Sequence, residues 1–478
     1  MDVNIRAVVL DILTEIEKEG EFSHITINNA LLKYQYLDRT QRAFINRLSL
    51  GTIECRIEMD YILNQYSKTP VNKMKPLIRR IMRMAVYQII YMENVPDSAA
   101  CNEAVKLAAK RGFTGLKGFV NGVLRNISRN KDNITYPDKA KETKKYLSVK
   151  YSMPEWIIEL WNTNMSYEEI EDILAGMKKD KKTYIRCNTL KGGTDYIKKI
   201  LEEEGVTVTE VSGLSYAYEI SGYDYLTALK SFNEGLYQIQ DISSMMAGEY
   251  VKPSTDSLIV DVCAAPGGKS INAALKLAEA AYDNKDISSM TAGYMTGFKA
   301  GDTVIDVCAA PGGKSVNAAI SVGTDGKVYS RDVSDYKASL IDDNVARLGI
   351  PYIDVEVHNA LEFDEELEGK ADIVIADLPC SGLGIMGRKP DIRYNITKEK
   401  IDDIISLQRD ILKVVSRYVK TGGTLVYSTC TINRAENEDN ADWICNTLGF
   451  SKDGEYRQML PSAKADNDGF FVAGLIKK

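Results

Sequence analysis

The part of the chain after residue 235 alternates short apolar strands with amphipathic helices, and this alternation constrains the fold more than any other feature. The segments ADIVIADLP and GTLVYSTC are typical of strands buried on both faces, and DDIISLQRDILKVVSRYVK is typical of a long helix. Such alternation favours a parallel sheet with helices on both faces. We therefore predict a Rossmann-like α/β domain with a mostly parallel sheet over residues 236–478.

The sequence before this domain predicts two further parts. Residues 1–135 carry apolar side chains at helical spacing, beginning with Ile5, Val8 and Val9, and show no sustained strand alternation. This pattern predicts an all-α bundle. Residues 140–235 combine helical segments with KTYIRCNTL and VTVTEV, which alternate like strands. They indicate a linker helix followed by a small α+β module.

A glycine-rich turn, DVCAAPGGKS, follows an apolar strand and leads into a helix. Small residues let a ligand approach the backbone, and the N-terminus of a helix offers it free N–H groups. The next strand ends on Asp332, where open α/β folds bind ribose hydroxyls. Together these features indicate a nucleoside-containing cofactor, with a purely structural turn as the alternative. A P-loop is excluded because Cys308, rather than glycine, stands six residues before Lys314.

A 45-residue unit is present twice in tandem, at residues 241–285 and 286–330. Between 241–274 and 286–319, 20 of 34 positions are identical, which indicates one duplication rather than a solenoid array. The second copy runs directly into the strand that ends on Asp332, as a strand–turn–helix unit must. We therefore assign the cofactor to the second copy and regard the first as an insertion. The reverse assignment stays open.

Two of the cysteines stand directly after or at the end of predicted strands. Cys380 follows ADIVIADLP, and Cys430 ends GTLVYSTC. The carboxyl ends of parallel strands are where α/β proteins build active sites. A single cysteine is more often a small buried hydrophobe, and this interpretation suits the following four: Cys55, Cys101, Cys187 and Cys445. Two strand-end cysteines beside Asp377 and a cofactor loop favour a catalytic pair.

The motifs DVCAAPGGKS, DLPCSG and LVYSTCTINRAEN closely resemble those of bacterial RNA cytosine-5 methyltransferases. The helical region resembles the NusB-like RNA-binding domain, with PDSAACNEAVKLAAKRG and KGFVNGVLRNI as the nearest matches. This pairing is similar to the Sun/Fmu family of 16S rRNA (cytosine-5) methyltransferases, over nearly the whole chain apart from the extra repeat copy. The resemblance implies an AdoMet-dependent methyltransferase that transfers a methyl group from S-adenosyl-L-methionine to C5 of a cytosine in small-subunit (16S) ribosomal RNA.

The resemblance also implies roles for individual residues. Cys430 would attack C6 of the cytosine, Cys380 would assist product release, and Asp377 would lie near the cofactor and the ring. Asn359 stands where the family commonly has an acid, and its amide oxygen can still accept a hydrogen bond from an amino group. The cofactor-binding residues implied by the resemblance are Cys308, Ala309, Ala310, Pro311, Gly312, Gly313, Lys314, Asp332, Asn359 and Asp377.

The distribution of charge bears on the partner. The net charge is −7, but residues 71–131 hold twelve Lys and Arg against three Asp and Glu. Phosphate contact depends on such a local excess rather than on the total, although a solvated helix face is the alternative. The candidate cations are Lys73, Lys75, Arg79, Arg80, Arg83, Lys106, Lys110, Arg111, Lys117, Arg125 and Arg129.

These observations lead to a set of expectations about partners. We expect 16S ribosomal RNA as the partner, a monomer, and a cytoplasmic location, with no membrane and no metal. The sequence has no run of about 18 apolar residues, only two histidines and no CxxC pair. Three alternatives stay open: the same reaction on tRNA or another rRNA site, a non-catalytic RNA-binding assembly factor, and a product inactivated by the duplication.

Overall fold

The structure is a computed structural model and describes residues 3–19, 22–189, 191–248, 259–261, 303–306, 327–348, 353–463 and 467–478. The predicted cofactor loop, Cys308–Lys314, lies outside the described residues. The chain divides into two units. The first comprises Met1–Lys179 with Met386–Ile396, and the second comprises Asp180–Ile385 with Thr397–Lys478.

The described helices and strands are numbered here in chain order. The helices are α1 (Ile5–Glu19), α2 (Ser23–Lys33), α3 (Arg39–Glu54), α4 (Arg56–Tyr66), α5 (Pro76–Tyr91), α6 (Asp97–Lys110), α7 (Lys117–Arg129), α8 (Thr143–Tyr151), α9 (Glu155–Asn162), α10 (Tyr167–Lys178), α11 (Thr194–Glu203), α12 (Lys230–Asn233), α13 (Ile242–Gly248), α14 (Asp335–Leu348), α15 (Ile392–Asn395), α16 (Lys398–Val415) and α17 (Glu438–Thr447). The strands are β1 (Thr183–Cys187), β2 (Thr207–Glu210), β3 (Ala217–Ser221), β4 (Tyr237–Ile239), β5 (Ile259–Asp261), β6 (Thr303–Asp306), β7 (Lys327–Asp332), β8 (Ile353–Val357), β9 (Ala371–Asp377), β10 (Val419–Thr429), β11 (Phe450–Lys452), β12 (Arg457–Met459) and β13 (Phe470–Lys477).

Helix α5 shows how the first unit is built. Pro76 occupies its first turn, where the missing N–H would have no helical partner in any case. Its apolar side chains, including Ile78, Ile81 and Met82, are buried in one core with those of α1, α3, α4, α6 and α7. The predicted all-helical region is therefore present, and helices continue in this unit through α10. No helix among the described residues is both long and apolar enough to cross a membrane.

The same helix buries two arginines that the charge count treats as available for phosphates. Arg80 pairs with Glu17 at 2.7 Å, and Arg83 pairs with Asp60 at 2.6 Å. Both arginine side chains are buried. The interpretation as phosphate ligands was therefore wrong for Arg80 and Arg83, because these guanidinium groups are already neutralised while joining α5 to α1 and α4.

The small sheet at the start of the second unit is antiparallel, with the order β2-β3-β1-β4 among the described strands. Helix α11 covers it with Ile197 and Leu201, which pack in one cluster with Ile185 and Tyr218. Cys187 belongs to the same buried cluster, as expected for a small hydrophobe. The segments KTYIRCNTL and VTVTEV, which alternate like strands, supply β1 and β2 of this sheet.

The large sheet has the order β11-β13-β10-β9-β5-β7-β6 among the described strands, with β12 on β13 and β8 on β7. Strands β5 to β10 pair in parallel, and β13 adds antiparallel to β10 with β11 and β12 beside it. Five of the seven residues of β9 are buried, because both faces of a parallel sheet are covered. The predicted mostly parallel Rossmann-like sheet is confirmed.

The two copies of the repeat supply strands that pair with the same residues of β7. Val260 of β5 and Ile305 of β6 are equivalent positions of the copies, and both pair with Tyr329. Strand β8 also pairs with β7 at Tyr329, while β5 and β6 both lie beside β9. In the strand order, β5 of the first copy is hydrogen-bonded to both β9 and β7, whereas β6 of the second copy is hydrogen-bonded to β7. Among the described strands, the position between β7 and β9 is therefore held by the first copy.

Candidate active site

Strands β9 and β10 bring the two predicted cysteines together. The strands are parallel neighbours, with Ser428 in register with Asp377 near their carboxyl ends. The chain leaves β9 through Pro379 to Cys380 and leaves β10 directly into Cys430. The two Sγ atoms lie 3.2 Å apart, and both residues are half-buried. The two thiols can therefore share a proton, and both can contact the same part of a substrate.

The loop after Cys380 is held against the end of β10 by its backbone. The Gly384 N–H donates to the carbonyl of Cys430 at 3.1 Å, and the Gly469 N–H donates to the carbonyl of Gly384 at 2.9 Å. A Cβ atom on Gly384 would lie 2.2 Å from the Gly469 carbonyl oxygen. Only glycine fits this close approach, so the positions of both cysteines depend on it.

Behind the cysteines lies a buried hydrogen-bond network centred on Glu436. Its Oε2 accepts the Ser381 N–H at 2.7 Å, and its Oε1 accepts the Ser381 hydroxyl at 2.5 Å and Asn433 Nδ2 at 2.9 Å. Ser381 Oγ also lies 2.8 Å from Thr431 Oγ1. Ser381 and Thr431 each follow one of the cysteines. The network therefore ties the residue after Cys380 to the residue after Cys430.

A second part of the network fixes the start of the same loop. Gln408 of α16 donates from Nε2 to the Pro379 carbonyl at 2.8 Å, and its Oε1 accepts Asn440 Nδ2 at 2.8 Å. Tyr427 donates its hydroxyl to the Glu436 carbonyl. These side chains are fully buried. The backbone on either side of Cys380 is thus held by Gln408 and Glu436, which are themselves hydrogen-bonded to Asn440 and Tyr427.

The surroundings of Cys380 disfavour its thiolate. The hydrogen bond with Cys430 and desolvation raise the pKa of the Cys380 thiol well above its ordinary value, and the negative charge of Glu436 adds to this effect. Burial also raises the pKa of Glu436, against the hydrogen bonds from Ser381 and Asn433, which lower it. The negative charge of Glu436 therefore opposes ionisation of the Cys380 thiol.

The predicted acids and amide lie at the carboxyl ends of neighbouring strands. Asp377 ends β9 and accepts the Ser428 hydroxyl at 2.8 Å. Asp332 ends β7, is buried, accepts the Val333 N–H at 2.7 Å and lies 3.2 Å from Lys337 Nζ. Asn359 follows β8 and accepts the Leu361 N–H at 3.1 Å. All three lie at the carboxyl-terminal end of the sheet, where Cys380 and Cys430 also lie.

Sequence reasoning overlooked the polar residues that hold the cysteine loops, namely Ser381, Gln408, Thr431 and Glu436. The run TINRAENEDN after Cys430 contained a signal, because it is polar although it directly follows a buried strand. A side chain of this kind must find hydrogen-bond partners if it is buried. The identity of those partners follows only from the fold, since Ser381 is distant from Glu436 in sequence.

A separate surface of the first unit presents cations on α6 and α7. Lys110, Lys117, Arg125 and Arg129 are exposed, and Arg125 is oriented by Asn121 Oδ1 at 2.8 Å. We call these four residues the α6–α7 cation face. No carboxylate forms an ion pair with any of them in the described part of the chain. Two exposed glycines of α7, Gly118 and Gly122, have open space where a side chain would stand.

Three parts of the chain match models of known protein families. A family model described as 16S rRNA methyltransferase RsmB/F matches residues 294–476, the NusB family matches residues 3–129, and an RsmF/B-like ferredoxin-like domain matches residues 153–222. The match to the methyltransferase model thus contains most of the second repeat copy and none of the first.

Curated relatives match along the whole chain. The probable ribosomal RNA small subunit methyltransferase B of Bacillus subtilis is 28% identical over 99% of both chains. The corresponding Synechocystis protein is 28% identical over 99% of this chain and 100% of its own. The Escherichia coli ribosomal RNA small subunit methyltransferase B is 24% identical over 99% of both chains.

Two solved structures share the fold. The crystal structure of PH0851 has a TM-score of 0.74 at 23% identity and covers 100% of both chains. That of a methyltransferase homologue from Pyrococcus horikoshii has a TM-score of 0.54 at 20% identity, over 72% of this chain and 100% of its own. Residues 294–476 are therefore similar to the RsmB/F family of 16S rRNA methyltransferases, and they follow a stretch, residues 3–129, that is similar to the NusB family.

Proposed function

We propose that the protein methylates C5 of a cytosine in small-subunit ribosomal RNA through a covalent bond between Cys430 and C6 of the base. The observation that carries this proposal is the 3.2 Å distance between the sulfurs of Cys380 and Cys430. Methylation of a ring nitrogen or a ribose hydroxyl requires no thiol. Two adjacent thiols at the carboxyl-terminal end of the sheet suit a reaction in which a bond to sulfur forms and is later broken.

The chemistry explains the need for a nucleophile. C5 of cytosine is a poor nucleophile, and addition of the Cys430 thiolate at C6 converts the ring into an enamine-like species that can attack from C5. S-adenosylmethionine supplies an electrophilic methyl group. A base, which can be a water molecule, then takes the C5 proton, the C5–C6 double bond re-forms, and the C6–S bond breaks so that Cys430 leaves as a thiolate. Cys380 stands beside this departing sulfur and can donate its thiol proton to it. Dividing one difficult displacement into addition and elimination lowers each barrier.

Asp377 would act on the base at the same edge. Its Oδ1 accepts the Ser428 hydroxyl, which holds the carboxyl group at the end of β9. From there it can hydrogen-bond to the N3 and N4 side of a cytosine while the ring is attacked. This role would stabilise charge that develops on the ring during addition.

The residues at the strand ends fit a nucleoside cofactor. A buried carboxylate, Asp332, ends β7, and ribose hydroxyls are donors that such an acid can accept. Asn359 follows the neighbouring strand β8. We infer that these two residues and the loop Cys308–Lys314 hold S-adenosylmethionine, with Asp332 at the ribose. This chemistry needs no metal.

The direct test is methyl transfer from labelled S-adenosylmethionine to unmodified small-subunit RNA, followed by mapping of the modified base. The proposal predicts 5-methylcytosine at one position. Transfer RNA and large-subunit RNA serve as competing substrates. A methyl group on any atom other than C5, or preferential transfer to transfer RNA, would contradict the proposed reaction or its substrate. Binding of the small-subunit RNA without any transfer would favour an assembly factor.

The α6–α7 cation face is expected to contact RNA phosphates. Reversing two of its charges, Lys117→Glu and Arg129→Glu, should weaken RNA binding by about tenfold or more. It should also reduce the slope of log Kd against log salt concentration by the amount expected for the loss of about two phosphate contacts. The measurement is the RNA dissociation constant over a range of salt concentrations. The matched control reverses Lys141 and Lys145, which are exposed on the same unit beside Asp138 and Glu142. An equal loss in both double variants would mean that only net charge matters.

The exposed glycines of α7 support this assignment. Glycine inside a helix costs about 1 kcal/mol relative to alanine, and neither Gly118 nor Gly122 is needed for packing against the residues that the structure describes. Open backbone beside Lys117 and Arg125 lets a polyanion approach the helix closely. The face therefore combines charge with access.

A further inference from the structure

We propose that Glu436 is a positioning residue that holds the Cys380 loop and keeps the proton of the thiol pair on Cys380, so that Cys430 carries the negative charge. The proposal rests on the proposed function for the meaning of these two roles. Its structural basis is independent of the reaction, because it depends on the hydrogen bonds and burial of residues around the two sulfurs.

The first observation is that Glu436 is a buried carboxylate whose desolvation is unfavourable. Its side chain is fully buried, and no Lys or Arg forms an ion pair with it in the described ranges. Burial of a carboxylate without a counter-ion is expensive unless hydrogen bonds compensate it. The hydrogen bonds that compensate Glu436 come from neutral donors, namely the N–H and hydroxyl of Ser381 and the side-chain amides of Asn433 and Gln408. A glutamine or an apolar residue would fill this space with less desolvation.

The second observation is the direction of the hydrogen bonds. The Ser381 hydroxyl lies 2.5 Å from Glu436 Oε1, a length typical of an O–H bond to an ionised carboxylate. The one proton of this hydroxyl is therefore directed to Glu436. The Thr431 hydroxyl, at 2.8 Å from Ser381 Oγ, must then donate to it. This chain of donors points from the Cys430 side to Glu436.

The third observation is the location of the negative charge. Glu436 binds both the N–H and the hydroxyl of Ser381, the residue that follows Cys380. Its charge therefore acts on Cys380 and contributes to the raised pKa of that thiol. With the proton retained on Cys380, the short S···S contact becomes a hydrogen bond from Cys380 to the Cys430 thiolate. The thiolate is the nucleophilic form of cysteine.

The other titratable groups around the two cysteines do not oppose the retention of the proton on Cys380. Asp377 ends the strand that precedes Cys380, and Tyr427 lies in the strand that precedes Cys430. Burial raises the pKa of Tyr427, and Glu436, Cys380 and Asp377 add to this effect, so Tyr427 stays neutral at ordinary pH. Asp377 accepts the Ser428 hydroxyl. Glu436 is thus the carboxylate bonded directly to the Cys380 loop.

The test is the pH dependence of alkylation at each cysteine, measured by iodoacetamide labelling and mass spectrometry of the full-length protein. In the unaltered protein, Cys430 should be labelled before Cys380 as the pH rises. Glu436→Gln removes the charge at nearly constant volume. It should lower the pKa of Cys380 and increase the Cys380 to Cys430 labelling ratio about tenfold, the equivalent of one pKa unit. It should also lower kcat about 10- to 100-fold with KM for RNA unchanged.

Three further variants separate positioning from a loss of folding. Glu436→Asp keeps the charge and should restore most of the unaltered labelling ratio. Asp439→Asn removes an exposed acid of α17 that pairs with Arg434, and it should leave the ratio unchanged. Ser381→Ala keeps Glu436 but removes one donor, so it should shift the ratio in the same direction as Glu436→Gln and by less.

An unchanged labelling ratio in folded Glu436→Gln would overturn the proposal. If that variant does not fold, an unchanged ratio in Ser381→Ala would overturn it. Both outcomes are distinct from failure of the proposed function, because alkylation requires neither RNA nor methyl transfer. A protein that methylates no RNA can still show the asymmetry of its two thiols.

Discussion

Cys430→Ala is expected to abolish methyl transfer, whereas Cys380→Ala is expected to accumulate protein bound covalently to RNA. Loss of the nucleophile removes the addition step, which should lower the rate by about 10³-fold or more. Without Cys380 the addition at C6 can still occur, because Cys430 is intact. Elimination then lacks its assisting group, so the adduct persists. The measurement is a protein–RNA band that survives denaturing electrophoresis, together with incorporation of labelled methyl groups.

The matched control is Cys445→Ala. Cys445 is half-buried like Cys380 and Cys430, but its sulfur lies 3.8 Å from the Tyr456 hydroxyl. This variant should methylate RNA normally and form no lasting adduct. The double variant of Cys380 and Cys430 should form none either. An adduct in Cys430→Ala, or equal activity in all single variants, would contradict the covalent mechanism.

The sequence was sufficient to predict the parallel sheet and the convergence of the cysteines. ADIVIADLP and GTLVYSTC are apolar on both faces, which only a covered parallel sheet requires. Because their strands are parallel, residues at their carboxyl ends must fall on one edge. The proximity of Cys380, Cys430 and Asp377 follows from these two facts. The resemblance supplied the division of roles, which topology does not give.

The network around Glu436 shows what sequence patterns do not reveal. A glutamate in a polar run is usually exposed, and Glu436 precedes a helix, where an acid is favourable in any case. Its burial depends on the packing of Gln408, Tyr427 and Asn440 around it, which comes from three separate elements. In the same way, charge counting treated Arg83 as a phosphate ligand, although Asp60 neutralises it across two helices.

The repeat produces the second large expected effect, which concerns the cofactor. Replacing Gly312 and Gly313 together with valine should abolish binding of S-adenosylmethionine, because two side chains would then fill the space that a ligand needs beside the backbone. The same change at Gly267 and Gly268 should leave binding within about twofold, because the assignment of the cofactor to the second copy gives these glycines no contact with it. Calorimetric titration of the full-length protein with the cofactor measures both.

Two arguments support binding of the cofactor by the second copy, and one feature of the fold supports the first copy. The second copy precedes β7 directly in the chain, as the turn of a nucleotide-binding unit precedes its next strand. The methyltransferase family model begins at residue 294, within this copy. Yet β5 of the first copy is the strand that pairs with both β9 and β7 among the described strands, which is the central position that the assignment to the second copy requires of β6.

Three results of the titration have different meanings. Loss of binding with the Gly312 and Gly313 pair alone would support the second copy. Loss with Gly267 and Gly268 alone would assign the cofactor to the first. If each pair alone only weakens binding and all four changes together abolish it, the copies exchange in one position. In that case the measured free energy of cofactor binding includes the free-energy difference between the two arrangements of the strands. Deleting residues 241–285 should then strengthen binding, because it removes the competing strand without changing the second loop.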